Sequence, residues 1–307
     1  MKKKKVIKKS LKKNFMIHPL VKKLLIPVVL IFLLGVGSVY LFFSTQLRPV
    51  VETKKTEQRK IPKEVVKNTL NQASVSATFR VPILLYHYVE YVKDKGDTIR
   101  QSLDIYPSTL DAQIKTLQDA GYTFMTASEL GEVIDGREEL PLKPVLLTFD
   151  DGHWDLYTDV LPILEKYHVK ATAYIISGFI NGSDFLTSDE LQKVIDSGLV
   201  EIGAHTVHHI GLAGKLLPVV QYEVSQSKKD LETKYNLHVV SFAYPGGSFD
   251  QQAIDAVKAA GYTNAVSTVP GIEQTKQNRL FLYRIRPGGR SGQTLLDFLQ
   301  QESFKPW

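Results

Sequence analysis

Two carboxylates stand side by side at Asp150 and Asp151, and two imidazoles stand four residues apart at His205 and His209. The H-x-x-x-H spacing lets one turn present both rings to a single cation. A carboxylate from Asp151 then completes a two-histidine, one-carboxylate set with positions left open for water and substrate. Imidazole and carboxylate without thiolate suit Zn²⁺, with Co²⁺, Ni²⁺ and Fe²⁺ as alternatives. Such a cation brings the pKa of water toward about 7, and Asp150, next to the ligand carboxylate, is placed to take the proton as general base. Adjacent carboxylates repel when both are ionised, and a cation relieves that. Taken singly, each signal has a plainer explanation. A lone H-x-x-x-H is more often two core or surface histidines, and Asp-Asp-Gly is more often a turn. His87 alone reads as a satisfied histidine at a strand end, and Tyr244-Pro245-Gly246-Gly247 alone reads as turn chemistry. The chemistry therefore depends on a fold that brings these segments to one place.

Such a fold is legible in the pattern. From about Thr78, short apolar runs alternate with amphipathic segments, as in βα units. Strands are expected at Pro82–Tyr86, Thr123–Met125, Val145–Phe149, Ala171–Ile176, Val200–Ala204, Val239–Ala243, Asn264–Ser267 and Phe281–Ile285. Helices fall between most of them. Leu110, Ile114 and Leu117 share one face, with Ser108 as the expected N-cap and Gly121 at the C′ position; Leu156, Val160 and Leu164 repeat the spacing, as do Ile254 and Val257 before Gly261. Apolar runs such as Val145-Leu146-Leu147 suit parallel strands covered on both faces. Seven or eight such repeats point to a barrel, with an open doubly wound sheet as the alternative. In a βα barrel the carboxyl ends of the strands share one mouth. His87, Asp150-Asp151, His205 to His209 and Tyr244 to Gly247 all follow expected strands directly, so four polar clusters converge there.

The rest of the composition bounds the setting. The chain of 307 residues has no cysteine, which excludes disulfides, Cys-ligated zinc, iron–sulfur clusters and thiol nucleophiles. Its net charge of +6 is concentrated in a basic tail, 1–23, which holds ten lysines and no acid and leaves the remainder at −4. That remainder gives no case for nucleic-acid binding. Residues 24–43 carry no charge, and twenty residues at about 1.5 Å each span roughly 30 Å, a bilayer core. Lysines before this segment predict a single-pass anchor with a cytoplasmic N-terminus and an extracytoplasmic remainder. The first alanine is Ala73, so the span lacks an A-x-A-like cleavage site and is expected to stay uncleaved. A polar, mixed-charge stalk at 44–78 and a folded domain at 79–307 complete the expected organisation.

The motifs resemble those of the polysaccharide deacetylase family, the NodB-homology domain of carbohydrate esterases, over roughly residues 80–300. Thr148-Phe149-Asp150-Asp151-Gly152 is similar to the family's T-F-D-D-G motif, in which the first aspartate is the base and the second a metal ligand. His205-Thr206-Val207-His208-His209 is similar to its H-[ST]-x-x-H motif. The resemblance implies a deformed (β/α)₇ barrel that hydrolyses the acetamide of N-acetylglucosamine polymers, or in some members an O-acetyl ester. A non-catalytic carbohydrate-binding protein on the same barrel is the alternative. This chain departs from the family where R-x-P-Y is usual: it reads Ala243-Tyr244-Pro245-Gly246. The oxyanion donor that the family takes from the tyrosine's backbone would fall to the Gly246 N–H, since a main-chain donor needs no side chain. The arginine that orients the base must come from elsewhere, and Arg284, or Arg286, on the last expected strand is the candidate. A C-terminal Leu-x-His acid is absent too. Pro82 to His87 resembles the branch that deacetylates poly-β-1,6-N-acetylglucosamine, which implies His87 as the general acid. Trp154 is equally readable as a sugar-stacking residue and as a core residue.

Overall fold

The structure, a computed structural model, describes residues 77–92, 94 and 96–306, all within the unit Ser74–Trp307. The basic tail, the apolar span at 24–43 and nearly all of the stalk lie outside the described residues. Among the described residues no helix is long and apolar enough to cross a membrane.

The strands are β1 (Thr78–Arg80), β2 (Ile83–Tyr86), β3 (Tyr88–Val89), β4 (Asp104–Ile105), β5 (Thr123–Met125), β6 (Pro144–Asp151), β7 (Ala171–Ile175), β8 (Val200–Ala204), β9 (Ser241–Ala243), β10 (Asn264–Pro270), β11 (Glu273–Thr275) and β12 (Leu282–Arg284). The helices are α1 (Thr98–Leu103), α2 (Pro107–Asp119), α3 (Ala127–Ile134), α4 (Leu161–Tyr167), α5 (Ser188–Asp196), α6 (Leu217–Tyr235), α7 (Gln251–Ala259) and α8 (Gly292–Leu299). Each of the eight expected strands is present. The sheet runs β2-β6-β7-β8-β9-β10-β12 with every pairing parallel, and β5 joins at the start of β6. It closes on itself where Leu84 bridges Ile285: the Leu85 N–H donates to the Ile285 carbonyl at 2.9 Å, and the Ile285 N–H to the Ile83 carbonyl at 2.9 Å. The ring is thus a nearly closed parallel barrel of seven strand positions, not an open sheet. β1 pairs antiparallel with β11 outside it, with Thr78 opposite Thr275.

Side-chain alternation sorts the barrel into an outside and an inside. Leu84, Leu147, Ala173, Ile202 and Ile285 face the helices in one apolar cluster. Ile83, Leu146, Tyr174, Ala243, Val266 and Leu282 fill the interior, with Met125 and Leu130 packed in the same cluster. Tyr174 crosses the inside so closely that a Cβ on Gly203 would lie 2.5 Å from its ring, which explains the glycine there. Ascending β6, the inward parity Leu146, Thr148, Asp150 changes from apolar to acidic. On β12 the same parity gives Leu282 then Arg284, and on β8 it gives Gly203 then His205. The barrel therefore has an oily floor and a polar mouth.

Two local expectations need correction. Ser108 does not cap α2. Tyr106 occupies the N-cap without a side-chain bond, and Pro107 takes the first helical position, where a missing N–H costs nothing. Gly121 does terminate α2, at φ 77°. The spacing Leu156, Val160, Leu164 buries as expected, but Leu156–Val160 forms a wide π-type turn that leads into α4 at Pro162, which has no N–H to continue the regular ladder.

Candidate active site

Asp151 ends β6 with φ 78°, a left-handed conformation that a non-glycine residue adopts only when its surroundings impose it. The conformation turns its carboxylate toward the loop after β8. Oδ1 of Asp151 lies 3.3 Å from Nε2 of His205 and 3.2 Å from Nε2 of His209, and the three ligand atoms fall within 4.8 Å of one another. His205 is buried, and its Nδ1 is 2.8 Å from the Ala243 carbonyl. That bond places the proton on Nδ1 and leaves the Nε2 lone pair facing Asp151. Oδ1 is itself a buried oxygen with no hydrogen-bond partner. An orphaned carboxylate oxygen facing two imidazole nitrogens is a donor set that a divalent cation satisfies, so the residues present fit a metal. Burial alone would raise the Asp151 carboxyl, yet the imidazoles of His153, His205 and His209 hold it well below the usual carboxylate range.

Asp150 points into the barrel beside this set. Arg284, fully buried, grips it with two parallel bonds, Nη1 to Oδ1 and Nη2 to Oδ2, each 2.7 Å. The guanidinium is itself fixed by Nε to the Ser267 carbonyl at 2.8 Å and Nη1 to the Thr148 hydroxyl at 3.2 Å, above the ring of Tyr174. Burial pushes Asp150 up, but Arg284 outweighs it and the carboxyl stays below its ordinary value. A carboxylate so held is ionised and unable to rotate.

His87 follows β2 in the inward parity of Ile83 and Leu85 and is half-buried. Burial lowers its pKa to about 4 against the opposing pull of Asp150 and Asp151, which places its ring in their field. Gly246 sits at φ 58° in the turn after β9. That turn is closed by Gly247 N–H to Tyr244 and Ser248 N–H to Pro245, bonds that do not use the Gly246 N–H. Arg286 continues the β12 parity beyond Arg284, half-buried; Trp154 is half-buried too. The barrel thus bonds Asp150 to Arg284, gathers Asp151, His205 and His209 at the adjoining strand ends, and sets His87 within electrostatic reach of both aspartates.

Two participants have no role assigned from the sequence, where His153 only flanks the proposed ligands. His153 is sandwiched between Tyr88 and Phe185, at ring distances of 4.1 and 4.8 Å, with Nδ1 3.1 Å from the Asp184 carbonyl and Nε2 3.4 Å from Oδ2 of Asp151. Glu223 of α6 clamps the loop that carries both metal-facing histidines. One oxygen accepts the N–H groups of Val207 and His208 at 2.9 Å each, and the other lies 2.7 Å from Nδ1 of His208. The clamp holds a loop whose Thr206 and His209 both have positive φ. Its signal was available: Val220, Glu223, Val224, Ser227 and Leu231 form the buried stripe of α6, and a carboxylate on such a stripe needs partners.

A family profile described as polysaccharide deacetylase matches residues 137–265, the stretch from before β6 to the start of β10. The Bacillus subtilis (strain 168) protein YxkH, named as a polysaccharide deacetylase, is 30% identical over 245 residues, covering 78% of this chain and 85% of that protein. The chain belongs to the polysaccharide deacetylase family. It is accordingly a deacetylase enzyme of a metalloenzyme family, and the Asp151, His205, His209 cluster is a potential metal site. The Escherichia coli (strain K12) poly-β-1,6-N-acetyl-D-glucosamine N-deacetylase is 26% identical over 217 residues, which cover 57% of this chain and 32% of that enzyme. Among solved structures, the Streptococcus pyogenes deacetylase PplD, in complex with acetate, superposes with a TM-score of 0.68 at 29% identity, over 73% of this chain and 100% of that one.

Proposed function

We propose that this deacetylase hydrolyses the acetamide of N-acetylglucosamine residues in an extracellular or cell-wall polysaccharide, with zinc held by Asp151, His205 and His209. The observation that carries the proposal is the pair of unlike carboxylates at one barrel mouth. Asp150 is locked and ionised by Arg284, and Asp151 offers an unpaired oxygen to two imidazoles. A zinc ion there supplies Lewis acidity, which makes water a nucleophile near neutral pH and polarises the acetamide carbonyl.

The chain's own groups divide the remaining work. Asp150 accepts the proton as water oxygen adds to the carbonyl carbon, and Arg284 keeps the accepting oxygen aimed. The Gly246 N–H donates to the oxygen that becomes negative. When the carbon–nitrogen bond breaks, the amine nitrogen takes a proton from His87, and acetate and a free glucosamine amine remain. His87 is neutral in the resting site at pH 7, because burial holds it near 4; it takes up the proton that Asp150 accepted from water and passes that same proton to the amine nitrogen, which returns Asp150 to its ionised form. The Escherichia coli relative, named as a poly-β-1,6-N-acetyl-D-glucosamine N-deacetylase, supports the choice of polymer. The apolar span at 24–43 supports placement on the outer side of a membrane, a reading that rests on sequence alone.

Incubating the protein separately with poly-β-1,6-N-acetylglucosamine and with peptidoglycan, and measuring free acetate and new amines, tests the proposal. Release of both in equal amounts from either polymer supports it. Absence of acetate from both, with the protein folded and zinc-loaded, refutes it.

A further inference from the structure

Three aromatic side chains are exposed among the described residues: Tyr91 at 59%, Tyr106 at 54% and Tyr222 at 51%. Every other described Phe, Tyr or Trp ring is buried or half-buried. All three lie on the face of the barrel that carries the catalytic cluster. Tyr91 follows β3, which leaves the barrel directly after His87, and Tyr106 is the N-cap of α2, at the carboxyl end of β4. Tyr222 lies near the start of α6, where its ring stacks with His208 of the metal-facing loop at 6.3 Å and 16°. The other large apolar side chains left in water, such as Leu142 and Leu216, are aliphatic, whereas the exposed aromatic rings stand around one mouth, where they offer flat faces for contact.

Tyr91 and Tyr106 form a built platform. Their rings stack at 5.1 Å and 29°, so each fixes the other. β3 and β4 pair through Tyr88 with Asp104 and Val89 with Ile105, which holds the two tyrosines at neighbouring strand ends. Beside them runs a groove of about 480 Å³ lined by Gln101, Asp104, Thr109 and Gly289, together with Tyr106. Gly289 belongs to the loop after β12, so the groove lies between the loops of β2 and β12, the strands of His87 and Arg284. The strand that precedes Tyr91 is tied to the reacting centre through Tyr88. Arg100 lies over the ring of Tyr88, Tyr88 stacks on His153, and His153 faces Asp151. Tyr91 is four residues from His87, no more than roughly 14 Å of extended chain.

We propose that Tyr91 and Tyr106, with the adjoining groove, form a subsite for a pyranose ring of the same glycan chain whose acetamide is hydrolysed at Asp150 and Asp151. A sugar ring presents C–H faces to an aromatic platform and hydroxyls at its edge, and the groove offers an amide, a carboxylate and a hydroxyl beside the rings. Such stacking is tolerant of the sugar's substituents, as required where acetylated and deacetylated residues both pass. Tyr222, beyond the metal-facing loop, would meet the chain at its other end.

The proposal rests on the reading of the protein as a glycan deacetylase, and the experiment separates the two. Acetate release is measured on N-acetylglucosamine oligomers of increasing length and on the small ester 4-nitrophenyl acetate, for the native chain and for Tyr91→Ala/Tyr106→Ala. Loss of the platform should lower the ratio of kcat/KM on the hexamer to kcat/KM on the ester about tenfold, the size of one or two aromatic contacts. The change should appear in KM, and Tyr91→Phe/Tyr106→Phe should restore most of it. Direct titration with the hexamer gives the same comparison when turnover is too slow to follow. An unchanged ratio and an unchanged hexamer affinity overturn the subsite. So does a shift from dimer to monomer in the Ala variant with hexamer kinetics intact, which makes the rings a self-interface. Failure of the native chain to release acetate from any oligomer refutes the deacetylase reading instead, and the titration still decides the platform.

Discussion

Replacing Arg284 with Ala removes a guanidinium that is fully buried and makes two bonds of 2.7 Å to Asp150. Removing one partner of a buried pair leaves the other charge uncompensated, at a cost of about 3–5 kcal/mol. For a domain of this size that is a fall in Tm of about 6–20 °C. The pH dependence identifies the cause. In the native protein the Asp150 pKa lies below its unfolded value, so its stabilisation is present above about pH 4 and is lost as pH falls through the folded pKa. In Arg284→Ala the main opposition to burial is lost and only the lesser pull of His205 and His87 remains, so burial dominates and raises the Asp150 pKa above the unfolded value. The variant is then progressively disfavoured as pH rises from about 4. The Tm gap between native and variant should therefore be wide at pH 7–8 and narrow toward pH 4.5. A gap from lost packing alone would not depend on pH. Thermal unfolding followed by circular dichroism across that range measures it. The double variant Asp150→Asn/Arg284→Met, with neither charge of the pair left, should recover much of the loss. A pH-independent gap, or a double variant whose losses simply add, would refute the argument that this pair is coupled through charge.

Other outcomes follow from the same geometry. His205→Ala and His209→Ala should each lose bound metal and activity together, whereas Asp150→Asn should keep the metal and lose turnover; metal analysis beside acetate release distinguishes them. His87→Ala should lower kcat by about 10²–10⁴ with metal content unchanged, and a normal rate per folded molecule would remove it from the reaction. Glu223→Gln breaks charge-assisted bonds to the histidine loop, so it should weaken metal binding by about 10–100-fold in chelator competition, as outer partners of ligands do. An unaltered metal affinity in that variant would make Glu223 a helix–loop contact without consequence for the site.

Much of the site was readable from the sequence because barrel geometry converts position along a strand into position in space. An Asp-Asp after a Val-Leu-Leu run and an H-x-x-x-H after Val200–Ala204 must meet when both strands are parallel members of one ring. Arg284 was legible as a candidate for the same reason: it follows Leu282 on the inward parity of the strand that closes on β2. What escaped depends on packing rather than on strand register. His153 acquires its orientation from Tyr88 and Phe185, which are 65 and 32 residues away in the chain. Glu223 acts from mid-helix on a loop fifteen residues earlier. Ser108 was misjudged as a cap because Pro107 can open a helix without one. The tyrosine platform depends on a pairing of two-residue strands, β3 with β4, too short to leave a periodic signal.

Titrating zinc into chelator-treated protein while measuring acetate released from an N-acetylglucosamine polymer tests the central claim most directly. The account requires no release without metal, a linear rise with added zinc, a plateau at about one ion per chain, and no response in His205→Ala. Full release by the metal-free protein, or an unchanged titration in His205→Ala, would contradict it.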